Sequence, residues 1–152
     1  MVDHLTDILL VEDNPRDLQL TLHALRSENL ANRIEVARDG EEALDILLCR
    51  GPAGDPQKPR PRLVLLDLKL PKVDGLEVLR TIKSDPRTRA LPVVILTSSK
   101  EERDLVESYQ TGANAYIQKP VDFDQFRKVV KQLGLFWLMV NEAPPAAAFE
   151  GK

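Results

Sequence analysis

The chain has 152 residues, 43% of them hydrophobic and 30% charged, which fits one ordinary globular domain able to bury an adequate core without disulfides or structural metals. A net charge of −3 gives no broad basic field for nucleic acid or an anionic membrane, and no apolar run is long enough to cross a bilayer. The start, Met1-Val2-Asp3-His4, lacks the basic and apolar stretches of a signal peptide, and the single cysteine, Cys49, has no internal partner, so a reducing cytoplasm is the expected location.

Residues 8–11 are apolar without alternation, the mark of a strand covered on both faces. A helix start follows at Asn14-Pro15-Arg16-Asp17: Asn14 can cap, proline suits the first helical position, and an acid sits three residues after the cap. Leu18, Leu22 and Leu25 then recur at helical spacing. Residues 33–37 read as a second, more polar strand for a sheet edge, and 40–50 as a helix with Ala43, Leu44, Leu47 and Leu48 on one side. The Gly- and Pro-rich stretch 51–61 reads as an exposed loop. Residues 63–66 are the most apolar run and the candidate central strand; Pro71 marks a turn, and Asp74-Gly75-Leu76-Glu77 caps a helix carrying Leu76, Leu79 and Ile82. Residues 92–96 form a fourth strand, a polar helix opens near Ser99 with Glu102 behind it, and 115–117 form a short fifth strand. Asp122 and Gln125 frame a last helix bearing Phe126, Val129, Val130 and Leu133. This alternation predicts a doubly wound five-stranded parallel sheet with right-handed crossovers and helices on both faces.

Chemistry gathers at the downstream strand ends. Glu12 and Asp13 follow the first strand, Asp67 the third, Thr97 the fourth and Lys119-Pro120 the fifth. In a parallel α/β sheet those ends share the edge where ligands bind. Singly, Asp67 reads as a strand-end cap, Thr97 as a β-former and Lys119 as a solvated charge; jointly they describe a site. Three neighbouring carboxylates repel one another, and a hard divalent cation removes the conflict. With all-oxygen ligands and no histidine or cysteine nearby the preferred ion is Mg²⁺, with Mn²⁺ or Ca²⁺ as substitutes. One oxygen of Asp67 is then free to attack phosphorus, while Lys119 and Thr97 meet the phosphoryl oxygens. Base rates alone give a trans Lys119–Pro120 bond. His4 and His23 read as bland surface.

The ordered set Ile8-Leu9-Leu10-Val11-Glu12-Asp13-Asn14, Leu65-Leu66-Asp67-Leu68-Lys69-Leu70-Pro71 with Asp74-Gly75, Leu96-Thr97-Ser98 and Lys119-Pro120 resembles the receiver domain of bacterial two-component response regulators over residues 6–133. The resemblance implies a flavodoxin-like strand order 2-1-3-4-5 and a histidine kinase as phosphoryl donor. Asp67 would be the phosphoacceptor. Asp13, Asp67 and the backbone carbonyl of Lys69 would be metal ligands, with Glu12 supporting through water. Thr97 would be the switch hydroxyl, Tyr116 the switch aromatic, and Lys119 the phosphate partner before a cis Pro120. The 51–61 loop, Asn114-Ala115-Tyr116-Ile117-Gln118-Lys119-Pro120 and Phe136-Trp137-Leu138 with Pro144-Pro145 are similar to the small regulators paired with phytochromes, which consist of a receiver alone. Lys69 departs from the asparagine frequent there, close to the path of attacking water.

Residues 133–140 are apolar on every side, more than one surface helix needs. The expectation is a homodimer through the last helix and its neighbours, with Phe126, Val130, Phe136 and Trp137 at the interface; the alternative is a segment folded back on its own domain past Gly134. The domain is expected to span 1–140, with 141–152 a disordered tail. Two other functions are weaker. A phosphorylation-independent interaction module leaves the acidic set unexplained. An aspartyl-phosphate phosphohydrolase usually carries a second aspartate two residues after the nucleophile, where this chain has Lys69. No helix-turn-helix follows Lys119, so no DNA-binding role is expected.

Overall fold

The computed structural model describes residues 7–26, 33–51, 54, 60–97, 110 and 112–138, apart from the side chain of Phe136. The strands are β1 (Ile8–Val11), β2 (Ile34–Ala37), β3 (Leu63–Asp67), β4 (Val93–Thr97) and β5 (Ala115–Gln118); the described helices are α1 (Pro15–Arg26), α2 (Gly40–Leu48), α3 (Gly75–Ser84) and α4 (Phe123–Leu133). All neighbouring strands pair in parallel in the order β2-β1-β3-β4-β5. This is the flavodoxin-like doubly wound sheet, with β3 at its centre and the more polar β2 at one edge.

Every residue of β1, β3 and β4 is buried, which explains why those runs show no alternation. Alternate residues serve opposite faces. Ile8, Leu10, Leu65, Val94 and Ile117 pack with Leu18 and Leu25 of α1 and with Phe126 and Val130 of α4. Leu9, Val11, Val64, Leu66 and Ile95 pack with Ala43, Leu44 and Leu47 of α2 and with Val78, Leu79 and Ile82 of α3.

Side-chain caps start the helices at their expected places. Asn14 Oδ1 accepts the Asp17 N–H at 3.0 Å, Asp74 Oδ1 the Glu77 N–H at 3.0 Å, and Asp122 Oδ1 the Gln125 N–H at 2.8 Å. Asp39 caps α2 in the same way, accepting the Glu42 N–H at 2.7 Å while Glu42 Oε1 accepts the Arg38 N–H at 2.8 Å. That cap escaped the sequence reading. Boundaries shift by a residue or two: α2 stops at Leu48, because Cys49 turns left-handed at φ +54°, and β4 and β5 run on to Thr97 and Gln118. The helix expected from Ser99 lies outside the described residues except at Gln110, and most of the 51–61 loop and the whole 141–152 tail lie outside them too.

The interface expectation is corrected for Phe126 and Val130. Gly134, at φ +71°, ends α4; its N–H bonds Lys131 O at 3.2 Å, and the Leu135 N–H bonds Val130 O at 2.9 Å. This is a Schellman stop, with Leu135 packed back against the core that holds Val130. A 3₁₀ turn over Phe136–Leu138 then sets Leu138, with no exposed surface, into that core. Phe126 and Val130, read as dimer contacts, are likewise wholly buried inside their own domain and have no surface to offer a second copy. Of the apolar stretch 133–140, Leu133, Leu135 and Leu138 are used internally, while the Phe136 side chain and residues 139–140 lie outside the described residues. Trp137 stays 37% exposed, with the Arg62 guanidinium 3.6 Å from its ring centroid.

Candidate functional site

The parallel register sets the site. Val11 pairs with Leu66, Asp67 with Leu96 and Thr97 with Gln118, so Glu12, Asp67, Thr97 and Lys119 all emerge at the carboxyl edge of the sheet. Glu12, Asp13 and Asp67 each place one carboxylate oxygen within 4.8 Å of the others. Glu12 is completely buried and Asp67 nearly so, while Asp13 opens to solvent. Beside them is a cleft lined by Asp13, Leu68, Lys69, Leu70, Pro71, Asp74 and Leu76. Gly75 closes the underside: a Cβ there would collide with the Asp67 carbonyl oxygen and Leu68 Cα, so only glycine lets α3 approach the end of β3 this closely.

Lys119 Nζ reaches into the same acidic group. It donates to Glu12 Oε1 at 2.9 Å, Asp17 Oδ2 at 2.9 Å and Asp67 Oδ2 at 3.1 Å. The other Asp67 oxygen, Oδ1, accepts the Lys69 N–H at 3.2 Å. The Lys119–Pro120 bond is cis, where base rates alone gave trans. The Lys119 N–H also donates to Thr97 O at 2.9 Å, which ties the ends of β4 and β5 together. Thr97 is buried at the same edge, and Tyr116, paired with Ile95, is half-buried against the face that holds α2 and α3.

The electrostatics follow from burial and proximity. Burial, then a hydrogen bond to Asp67, pushes the Glu12 carboxyl up from 4.5 to about 7, against the opposing pull of Lys119. Burial alone would lower the Lys119 ammonium, but its bonds to Asp17 and Glu12 and the charge of Asp67 outweigh that and raise it above its ordinary value. One buried cation therefore serves several acids, and the cluster stays short of positive charge. An all-oxygen donor set with a buried, proton-holding member fits a hard divalent cation.

Asp17 is the residue that sequence reasoning missed as part of the site; it was assigned only to the helix start. The available signal was position: a helix opening directly after a strand-end acid keeps its first turn at the same edge. His23 is exposed on α1, and His4 lies outside the described residues.

A doubly wound domain with this edge of acids, hydroxyl and lysine defines a receiver of the response-regulator class. The chain belongs to that family: the model of the response regulator receiver domain matches residues 8–131. It is similar to AtBRR, a bacteriophytochrome response regulator of known structure, with 59% identity and a TM-score of 0.81 over 91% of this chain and 99% of that one. It is 44% identical to the probable methanogenesis regulatory protein FilR2 of Methanothrix harundinacea, over 92% of this chain and 88% of that protein. It is 39% identical to the response regulator Rcp1 of Synechocystis sp., over 91% and 93% of the two chains. The Mn²⁺-bound structure of Rcp1 superposes with a TM-score of 0.72, at 38% identity over 93% of this chain and 99% of that one. This chain is a response regulator, a signalling protein. Among the described residues no helix is long and apolar enough to cross a membrane.

Proposed function

We propose that Asp67 accepts a phosphoryl group from a histidine kinase and that the resulting acyl phosphate is the signal. The observation that carries the reading is the pairing of a nearly buried aspartate at the end of the central strand with an acidic pair on one side and a buried ammonium on the other. A carboxylate oxygen of Asp67 attacks the phosphorus of a phosphohistidine. The P–N bond breaks, its electron pair returns to the imidazole, and the ring takes up a proton. Lys119 offers an N–H to one phosphoryl oxygen and the Thr97 hydroxyl meets another. Asp13, Asp67 and the Lys69 carbonyl would hold Mg²⁺, with Glu12 supporting through water; the bound ion supplies positive charge to the phosphoryl oxygens. Water later cleaves the acyl phosphate, and the chain turns over no separate metabolite.

Thr97 drawn toward the phosphate, with Tyr116 following inward, shifts the population of the distal surface. The 59% identity to AtBRR favours a bacteriophytochrome as the kinase, in the cytoplasm, acting on a receiver spanning 1–140 with 141–152 as a tail. A homodimer remains part of this reading only through outward surfaces such as that of Trp137.

Intact mass after incubation with acetyl phosphate and Mg²⁺ tests the central step. One labile phosphoryl group is expected on the wild type and none on Asp67→Asn or in the presence of a chelator. Equal labelling of Asp67→Asn overturns the reading.

A further inference from the structure

Three carboxylates hold Lys119, and two of them, Glu12 and Asp67, already have parts in the phosphoryl step. We propose that the third, Asp17, is a positioning residue for that step: it fixes the Lys119 ammonium beside Asp67 while the other two change partners. The proposal rests on the phosphoacceptor reading.

An ammonium has three N–H donors and no acceptor. Here all three point at carboxylates, at 2.9, 2.9 and 3.1 Å. When Asp67 becomes an acyl phosphate, a phosphoryl oxygen takes over the donor that Asp67 held. Glu12 stands in the acidic group with Asp13 and would serve the cation held there. Asp17 stands outside that group. It lies in the first turn of α1 and lines a separate groove with Asn14, Arg16, Leu20, Lys119 and Pro120. Its bond to Lys119 is the one that phosphoryl transfer leaves untouched.

The anchor is itself fixed. The Asp17 N–H is tied to Asn14 Oδ1 at 3.0 Å, two residues after Pro15 opens α1. Its carboxylate is 30% exposed and holds a lysine side chain that is 7% exposed, at charge-assisted distance. Without it, a compact charge on a four-carbon stem regains rotamer freedom and swings among the remaining acids. No covalent bond to Asp17 forms or breaks.

The test is the rate of phosphoryl uptake from acetyl phosphate at saturating Mg²⁺, followed by intact mass. The variants are Asp17→Asn, Asp17→Glu, Lys119→Met and the Asp17→Asn/Lys119→Met double, each checked by thermal unfolding. Asp17→Asn is expected to slow uptake about tenfold, and to add nothing further in the Lys119→Met background. Asp17→Glu, which keeps the charge, recovers part of the loss. An Asp17→Asn rate equal to or above wild type, or equal slowing in both backgrounds, overturns the positioning role. Wild type labelled on Asp67 beside an unaffected Asp17→Asn sinks this proposal alone; an unlabelled wild type sinks it together with the phosphoacceptor reading.

Discussion

Glu12 shows at the scale of one residue how burial is turned into chemistry. Its carboxyl is completely buried and holds its proton up to about pH 7, while in the unfolded chain it ionises at its ordinary value of 4.5. Between those values the folded state binds a proton that the unfolded state has released, so stability falls as pH rises through the window. Glu12→Gln, permanently neutral, lacks that loss. Denaturant titrations of cation-free protein should therefore show the wild type losing about 3 kcal/mol relative to Glu12→Gln as pH is raised from below 4.5 to above about 7. A pH-independent difference between the two would mean that Glu12 is solvated as an ordinary acid. The same shift ties cation binding to proton release, since the ion needs the ionised site.

At the scale of the element, α4 carries the clearest lesson. Its apolar stripe was legible from Phe126, Val129 and Val130, but its partner was not, because periodicity says that a face is buried and not by what. The structure gives that face to the sheet of its own domain, and Gly134 turns Leu135 and Leu138 back into the same core. Phe126→Ala should therefore cost about 3–5 kcal/mol in urea denaturation and leave the sedimentation coefficient of the folded protein unchanged. Trp137→Ala removes a partly exposed ring and should cost about 1 kcal/mol or less. A dimer dissociated by Phe126→Ala without loss of stability would reinstate the interface expectation. Caps were legible where an Asn or Asp stands before a periodic run, as at Asn14, Asp74 and Asp122. Asp39 was not, because it stands before Gly40, a poor helix former that blurs the start of the periodic run.

At the scale of the molecule, the sheet and its strand order were legible, because a parallel sheet announces itself through unbroken apolar runs with polar ends. The principal site residues were legible for the same reason: residues at strand ends converge whatever their separation in sequence. Asp17 was not, since it stands on a helix and not at a strand end, and its contact with Lys119 depends on how α1 leans toward the last strand. What the fold supports is a single functional edge, with Asp67 at the end of the central strand as its reacting group. Reduction of the phosphorylated protein with borohydride, which converts an aspartyl phosphate to homoserine, followed by peptide mass mapping, tests that claim most directly. The account predicts homoserine at position 67 and an unmodified residue 13; homoserine at position 13, or at neither position in a protein that carries the label, would contradict it.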